Sequence, residues 1–409
     1  MPNQIQKGPF LPLSETSNET AELLLEDIGE LGDTLAVFEG KYINVFGGIP
    51  GEKVLCRIVR YRRRRRAIVS AIVLDVLKSS PYRISVPCQY FGSCSGCQWQ
   101  HISYPHQLDL KKRILSDKFK EFDSLKGVDV LPVRPAPNEF FYRNHARFTV
   151  RFGGQLGFSN RITRRFVRID KCLLMAPDIN EALNGLQDKA DETTNVSVRV
   201  GFATSDRLIQ PTLLNPDIPF DTGQKWYIEK MKGRQFRVAS PSFFQVNTLQ
   251  AEQMIDLVGD YLQLSGREIL VDAYAGVGTF AAILAPRSKR VIAIEESASA
   301  VKDGRIGTSD IGNIDYILGK SEEVLMDLNY SVDALILDPP RIGCHPDALD
   351  AVMKSQPAKI AYVSCDPSSL ARDLDILVRG GYRVEVVQPV DMFPQTYHIE
   401  CVVSLRFEG

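Results

Sequence analysis

The chain has 409 residues, 44% apolar and 24% charged, with a formal net charge of −1 at pH 7. This is the make-up of a globular protein of two or three domains. It excludes a collagenous or wholly disordered chain, and no apolar run approaches the ~20 residues of a membrane span. The N-terminal stretch "MPNQIQKGPFLPLSETSNET" is polar and lacks the apolar core of a secretory signal. Residues 1–14 read as a disordered extension, and the chain as cytoplasmic. In that reducing setting the eight cysteines point to metal binding or catalysis rather than to disulfides.

Residues 15–80 contain β-branched runs, in "TLAVFEGKYINVFGGIPGEKVLCRIVRYRRRRRAIVSAIVLDVL", broken by the turn segments "EGK" and "GGIPGE". They predict a small OB-like β-barrel, an architecture that often binds oligonucleotides. The near-neutral total conceals two basic blocks. Residues 51–66 hold eight Lys/Arg against one Glu, and residues 141–171 eight against one Asp, so the two carry +14 and the remainder −15. Such segregation marks a polyanion-binding face. Arg62, Arg63, Arg64, Arg65 and Arg66 in the first block, and Arg143 and Arg147 in the second, are the candidate phosphate contacts.

In "CQYFGSCSGCQWQH", Cys88, Cys94 and Cys97 follow a C-x5-C-x2-C pattern. Three cysteines so close in a cytosolic chain imply a soft-metal site, and Cys172 in "IDKCLL" is the best remaining fourth ligand. Zinc and an iron–sulfur cluster both suit thiolate ligation. Leu108, Leu115, Phe119 and Phe122 then predict a helix over 105–124. The segments "HARFTVRF" and "VSVRVGF" predict strands within 139–240. From about residue 241 the apolar strands "EILVDAY", "RVIAIE", "DALILDPP" and "KIAYVSC" alternate with helical segments, the pattern of a parallel sheet covered on both faces. The chain thus divides into an extension (1–14), a barrel (15–80), a central domain (81–240) and an α/β domain (241–409).

The α/β segment carries the chemical motifs. "LVDAYAGVGTFAAILA" is a strand, a glycine turn at Gly276 and Gly278, and a helix; Glu295 ends the next strand seventeen residues after Gly278. Glycines permit close backbone approach to a ligand, and an acid so placed accepts ribose hydroxyls. The geometry serves dinucleotides and S-adenosylmethionine alike, and Asp272 and Tyr274 before the glycines favour the second. "LILDPPR" ends a buried strand with Asp338 aimed toward the crevice where such sheets bind ligands. In "AYVSCDPSSLARDL", Cys365 falls between a strand and a helix, where the helix N-terminus would favour a thiolate nucleophile. "PQTYHIECVVSL" places Glu400 amid apolar residues. A carboxylate is costly there without purpose, so Glu400 is a candidate general base. The alternative is a solvent-facing residue on an edge strand.

Taken in order, "DAYAGVGTF", "LDPPR", "SCDP" and "FPQTYHIE" resemble the RNA uracil-5-methyltransferase family over nearly the whole chain from about residue 20. The cysteine pattern and barrel look like the ribosomal-RNA-type members, with a TRAM domain and a [4Fe-4S] cluster. The resemblance implies a Rossmann-like class I methyltransferase domain, with Cys365 as nucleophile and Glu400 as base. It implies that Gln245, Tyr274, Gly276, Thr279, Glu295 and Asp338 line the S-adenosylmethionine site, and that Cys88, Cys94, Cys97 and Cys172 bind the cluster. Gln395 departs from the family, which commonly has His there. The expected partner is RNA, ribosomal in preference to transfer RNA, with no obligate protein partner and a monomeric state. Competing readings are a methyltransferase acting on an exocyclic nitrogen, a cluster-stabilised RNA-binding protein without activity, and a dinucleotide oxidoreductase. The last leaves Cys365 and the basic blocks unexplained.

Overall fold

A computed structural model describes residues 19–63, 66–160, 163–328 and 331–409. The extension expected over residues 1–14, together with Arg64 and Arg65, lies outside the described residues, as do the side chains of Arg62, Arg63 and Arg66. Among the described residues no helix is long and apolar enough to cross a membrane.

The first unit is a sheet of β1 (Thr20–Leu24), β2 (Asp27–Ile28), β3 (Thr34–Phe38), β4 (Lys41–Phe46), β5 (Lys53–Arg63) and β6 (Arg66–Lys78), ordered β1-β5-β6-β4-β3-β2. Its inward residues, among them Leu23, Val45, Val54 and Ile58, make a core of their own. Glu52, fully buried, ties this unit to the next by accepting from Arg83 at 2.6 and 2.7 Å.

Helix α1 (Tyr104–Lys120) follows the cysteine-rich loop. Of the four residues expected on its apolar face, Leu115 and Phe119 are fully buried, while Leu108 and Phe122 are half-buried. The buried face includes Gln107, Leu110 and Lys111 instead. Leu115 and Phe119 join the core of the C-terminal sheet. Leu110 packs with Ile49, Trp99 and Ile102. The helix therefore bridges the N-terminal and C-terminal parts.

β7 (His145–Arg151), β8 (Gln155–Ser159), β9 (Phe166–Arg168), β10 (Asn195–Val200) and β11 (Arg207–Gln210) form a second sheet, ordered β11-β10-β7-β8-β9, with α2 (Pro177–Leu186) against it. Strict alternation in "HARFTVR" buries Ala146, Phe148 and Val150 and turns His145, Arg147, Thr149 and Arg151 outward, as the two-residue period of a strand requires. A hairpin, β12 (Trp226–Met231) and β13 (Arg234–Ala239), leads into α3 (Thr248–Leu262), whose N-cap Asn247 accepts from the Gln250 N–H.

The last unit is a Rossmann-like α/β fold. Its strands are β14 (Ile269–Ala273), β15 (Arg290–Glu295), β16 (Ile314–Leu318), β17 (Ala334–Leu337), β18 (Lys359–Ser364), β19 (Tyr382–Val390) and β20 (Glu400–Phe407). The order is β16-β15-β14-β17-β18-β20-β19. The pairs from β16 through to β18 are parallel, and β20 is antiparallel to both its neighbours. Successive residues face opposite cores: Leu270, Val291 and Ile336 on one side, Val271, Ile292 and Leu335 on the other. Burial on both faces is why these strands read as unbroken apolar runs. Helices α4 (Thr279–Leu284), α5 (Ala298–Gly307), α6 (Ser321–Asp327), α7 (Pro346–Ser355) and α8 (Pro367–Arg379) complete the layers.

Gly278, at the head of α4, has φ 80°, and a Cβ there would lie 1.8 Å from the Tyr316 hydroxyl oxygen. Both the left-handed backbone and the crowding demand glycine. Gly278→Ala is expected to cost ~1–3 kcal/mol, read as a lowered thermal midpoint. Tyr316→Phe, which removes the crowding oxygen, should return part of the loss, and a Gly278→Ala variant as stable as the parent would contradict this account.

Candidate active site

The α/β sheet gathers the motif residues at the carboxyl ends of adjacent strands. Tyr274 and Gly276 follow β14, Glu295 ends β15, Asp338 follows β17 and Cys365 follows β18. β14 lies between β15 and β17, so the chain winds away in opposite directions there. That topological switch point is where open α/β sheets bind ligands.

The turn after β14 is shaped for close approach. Tyr274 and Gly276 have φ of 66° and 56°, and nothing stands within 4 Å of where a Gly276 side chain would project. Glu295 accepts from the Gly276 N–H at 2.8 Å and the Ser297 N–H at 2.7 Å, so its carboxylate is held over the turn. Asp272 Oδ1 is buried without a hydrogen-bond partner, and the Tyr274 hydroxyl is buried beside Cys344 and His345. Asp272 Oδ2 accepts from the Ala281 N–H at 3.0 Å. Thr279 opens α4, half-buried beside the turn, and Gln245 lies half-buried on the loop before α3, its carbonyl accepting from Asn144.

Cys365 and Glu400 are 35 positions apart, and strand pairing brings them together. β18 and β20 run antiparallel with Ser364 opposite Cys401. One further step of that register sets Cys365 opposite Glu400. Glu400 is buried, 6% exposed, at the mouth of a strand flanked on both sides, so the edge-strand alternative for it fails. Asp366 caps α8 by accepting from the Ser368 and Ser369 N–H groups, with Pro367 in the first turn. Cys365 is thereby fixed between a strand end and a capped helix.

Burial dominates the electrostatics of this crevice. It holds Glu400 well above the usual carboxylate range, helped by Asp338 and opposed by Arg341. Burial alone raises Asp338 to about 7. Asp272 rises to about 8 through burial and then through Asp338. At Cys365, burial acts against the effect expected from the helix N-terminus on the thiol. Burial pushes it up to about 12, the Glu400 carboxylate adds to the rise, and Arg341 opposes it. Cys365 is half-buried, and Asp366 already accepts from the first N–H groups of α8; loss of water around the sulfur favours the neutral thiol.

Arg341 was absent from the sequence-based site and belongs beside it. Its guanidinium donates to His398 Nδ1 at 3.4 Å and is the cation acting on both Cys365 and Glu400. Its position directly after the Asp338-Pro339-Pro340 turn was the available signal. His398 is itself held down to about 4 by burial, with Arg341, Lys111 and Arg143 adding to the effect, so it is neutral near pH 7.

Cys88, Cys94, Cys97 and Cys172 converge around a second cavity of about 270 Å³. Burial raises Cys94 to about 11, with Cys172 and Cys88 contributing. Arg143, Arg147 and Lys171 line the same cavity and offer cations to a thiolate set. Among the described residues no three His, Cys, Asp or Glu side chains stand close enough to share one metal ion. The soft-metal site expected from the cysteine spacing is therefore not formed among the described residues, although all four cysteines line one cavity.

Residues 224–407 match the sequence model of the tRNA (Uracil-5-)-methyltransferase family. An uncharacterized RNA methyltransferase of Clostridium tetani is 31% identical, over 94% of this chain and 97% of its own length. One from Thermotoga maritima is 33% identical, over 90% and 94% respectively. Among solved structures, the Pyrococcus abyssi tRNA (uracil-54, C5)-methyltransferase in complex with S-adenosyl-L-homocysteine superposes with a TM-score of 0.75 at 25% identity, covering 94% of this chain and all of that one.

The electrostatics give a measurable expectation. Alkylation of Cys365 by iodoacetamide, followed by mass spectrometry of its peptide, should be slow at pH 7 and rise steeply toward high pH. Glu400→Gln removes a neighbouring negative charge and should speed it; Arg341→Ala removes the opposing cation and should slow it further. Fast alkylation at neutral pH in the parent protein would refute the protonated thiol.

Proposed function

The chain belongs to the RNA uracil-5-methyltransferase family, and from that premise we propose that it transfers a methyl group from S-adenosylmethionine to C5 of one uridine in RNA through a covalent adduct on Cys365. The observation that supports this reading is the pairing of β18 with β20, whose register, with Ser364 opposite Cys401, brings Cys365 and Glu400 close enough to interact. S-Adenosylmethionine, when bound, supplies an electrophilic methyl on a sulfonium. Tyr274, Gly276, Thr279, Glu295 and Gln245 would hold it, with Glu295 on the ribose hydroxyls and Asp338 between cofactor and base.

Uracil C5 is a weak nucleophile. The Cys365 thiol first gives up its proton to solvent; addition of the resulting thiolate sulfur to C6 makes an enolate, and C5 of that enolate accepts the methyl. Covalent addition thus divides one difficult step into easier ones. Arg341 favours the thiolate as it forms. Glu400 then takes the C5 proton, and the Cys365–C6 bond breaks to release 5-methyluridine. The base must leave its stack to be reached from both faces, so a single-stranded loop or a flipped nucleotide is the substrate form.

The reading of a [4Fe-4S] cluster is supported by the four cysteines lining one cavity together with Arg143, Arg147 and Lys171. Cys88, Cys94, Cys97 and Cys172 would hold it, and its place is in structure or RNA docking, because methyl transfer needs no electron. Arg143 and Arg147 border that cavity and, with the Arg62–Arg66 run, would contact phosphates. The preferred target is 23S ribosomal RNA, acted on by a cytoplasmic monomer. A second reading, uridine in the transfer-RNA T-loop, is favoured by the likeness to the Pyrococcus abyssi enzyme. Incubation with labelled S-adenosylmethionine and total RNA from a methylation-deficient host decides between them: label in 5-methyluridine of one RNA class assigns the target, and label in no pyrimidine rejects the reaction.

Two substitutions test the chemistry. Cys365→Ala should abolish methylation while RNA affinity, measured by filter binding, stays within about twofold of the parent. Retained turnover would sink the covalent route. Glu400→Gln should accumulate a protein–RNA adduct visible on a denaturing gel, since elimination lacks its base, and normal turnover would remove Glu400 from that role.

A further inference from the structure

Residues 391–399 join β19 to β20, and Val390 and Glu400 pair across the base of this loop. Asp391, Gln395 and Thr396 within it are buried. Connections usually run over the surface, because buried backbone groups need hydrogen-bond partners. This loop draws them from one face of α1. Gln107 and Lys111, one turn apart, are both fully buried. Lys111 Nζ donates to Asp391 Oδ1 at 2.5 Å and to the Phe393 carbonyl at 3.2 Å. Gln107 Nε2 donates to Gln395 Oε1 at 3.0 Å, and Gln107 Oε1 accepts the Gln395 N–H at 3.0 Å.

Gln395 has φ 68°, a left-handed conformation that a residue with a Cβ keeps only where its surroundings over-determine it. Its carbonyl also accepts the N–H groups of Gln98 and Trp99 at 3.2 and 3.1 Å. Stability alone would not select this arrangement. A buried ion pair can be exchanged for apolar groups of similar volume at little cost or with gain. What directional bonds supply and apolar packing does not is a fixed position for the loop, which ends at Glu400.

We propose that Lys111 and Gln107 are positioning residues for the reaction: they set the 391–399 loop, and through it the reach of the Glu400 carboxyl to the C5 proton of the adduct. This rests on the assignment of Glu400 as base.

The test is the paired replacement Lys111→Met with Asp391→Leu. It removes both charges together, so no buried charge is left alone and the thermal midpoint should stay near that of the parent. Turnover should nevertheless fall on the order of 10- to 100-fold, as expected for small displacements of a reacting group. The covalent protein–RNA species should build up while KM for S-adenosylmethionine and RNA affinity hold. A stable paired variant that turns over at the parent rate overturns the proposal. Gln107→Met removes both bonds to Gln395 and is read by the same measurements, which covers the case of a paired variant that does not fold. Glu400→Gln on ordinary RNA separates the two levels: no accumulated adduct there would remove the base role itself, whereas an adduct there with paired variants that turn over like the parent would remove only the positioning role.

Discussion

The site depends on one strand entering the sheet the wrong way round. β20 runs antiparallel between β18 and β19, so its first residue lies at the carboxyl end of a sheet whose other ligand-facing residues come from parallel strands. A parallel strand in that place would have delivered its last residue to the crevice and left the start of the strand on the far side. Reversal places Glu400 against Cys365 at the same edge that holds Asp338. The register of the β18–β20 pair is anchored by burial of Val402, Val403 and Leu405 on both faces, and a slip of one residue would exchange those faces.

Around that edge the carboxyl groups are crowded and dry. Asp272, Asp338 and Glu400 are all raised by burial, with Asp338 acting on both of the others. Arg341 is half the answer to this crowding, since it opposes the rise at Glu400 and at Cys365. A cation entering the crevice would favour the ionised carboxylates, so a sulfonium cosubstrate and these acids suit each other. Asp272 Oδ1, buried and without a hydrogen-bond partner, lies under the same turn.

The N-terminal units brace this edge. Trp99 Nε1 donates to the Gly32 carbonyl at 2.8 Å, and His101 lies 3.0 Å from the Gly48 carbonyl. A Cβ on Gly32 would strike Tyr397, two residues from Ile399. The cysteine-rich loop and the first sheet therefore press on the same β19–β20 connection that α1 holds by hydrogen bonds.

Much of this was legible in the chain. Apolar runs ending in "DAYAG", "DPPR" and "SCDP" revealed a parallel sheet and its ligand edge, because strands buried on both faces must be apolar throughout and glycine alone suits the turn after β14. The cysteine spacing indicated a soft-metal site; the four cysteines line one cavity, and among the described residues no three ligands stand close enough to share one metal ion. What the chain alone did not reveal depends on contacts between distant segments. The facing of Cys365 and Glu400 follows from the order and direction of strands, which periodicity does not encode. The upward shift of the Cys365 thiol comes first from burial, which segments distant in the chain supply. In the chain Gln107 and Lys111 read only as polar positions of an amphipathic helix, because their partners, Gln395 and Asp391, lie 280 residues or more away. Local backbone preference and hydrophobic pattern are properties of sequence; the pairing of buried polar groups is decided only when the tertiary structure excludes water from around them.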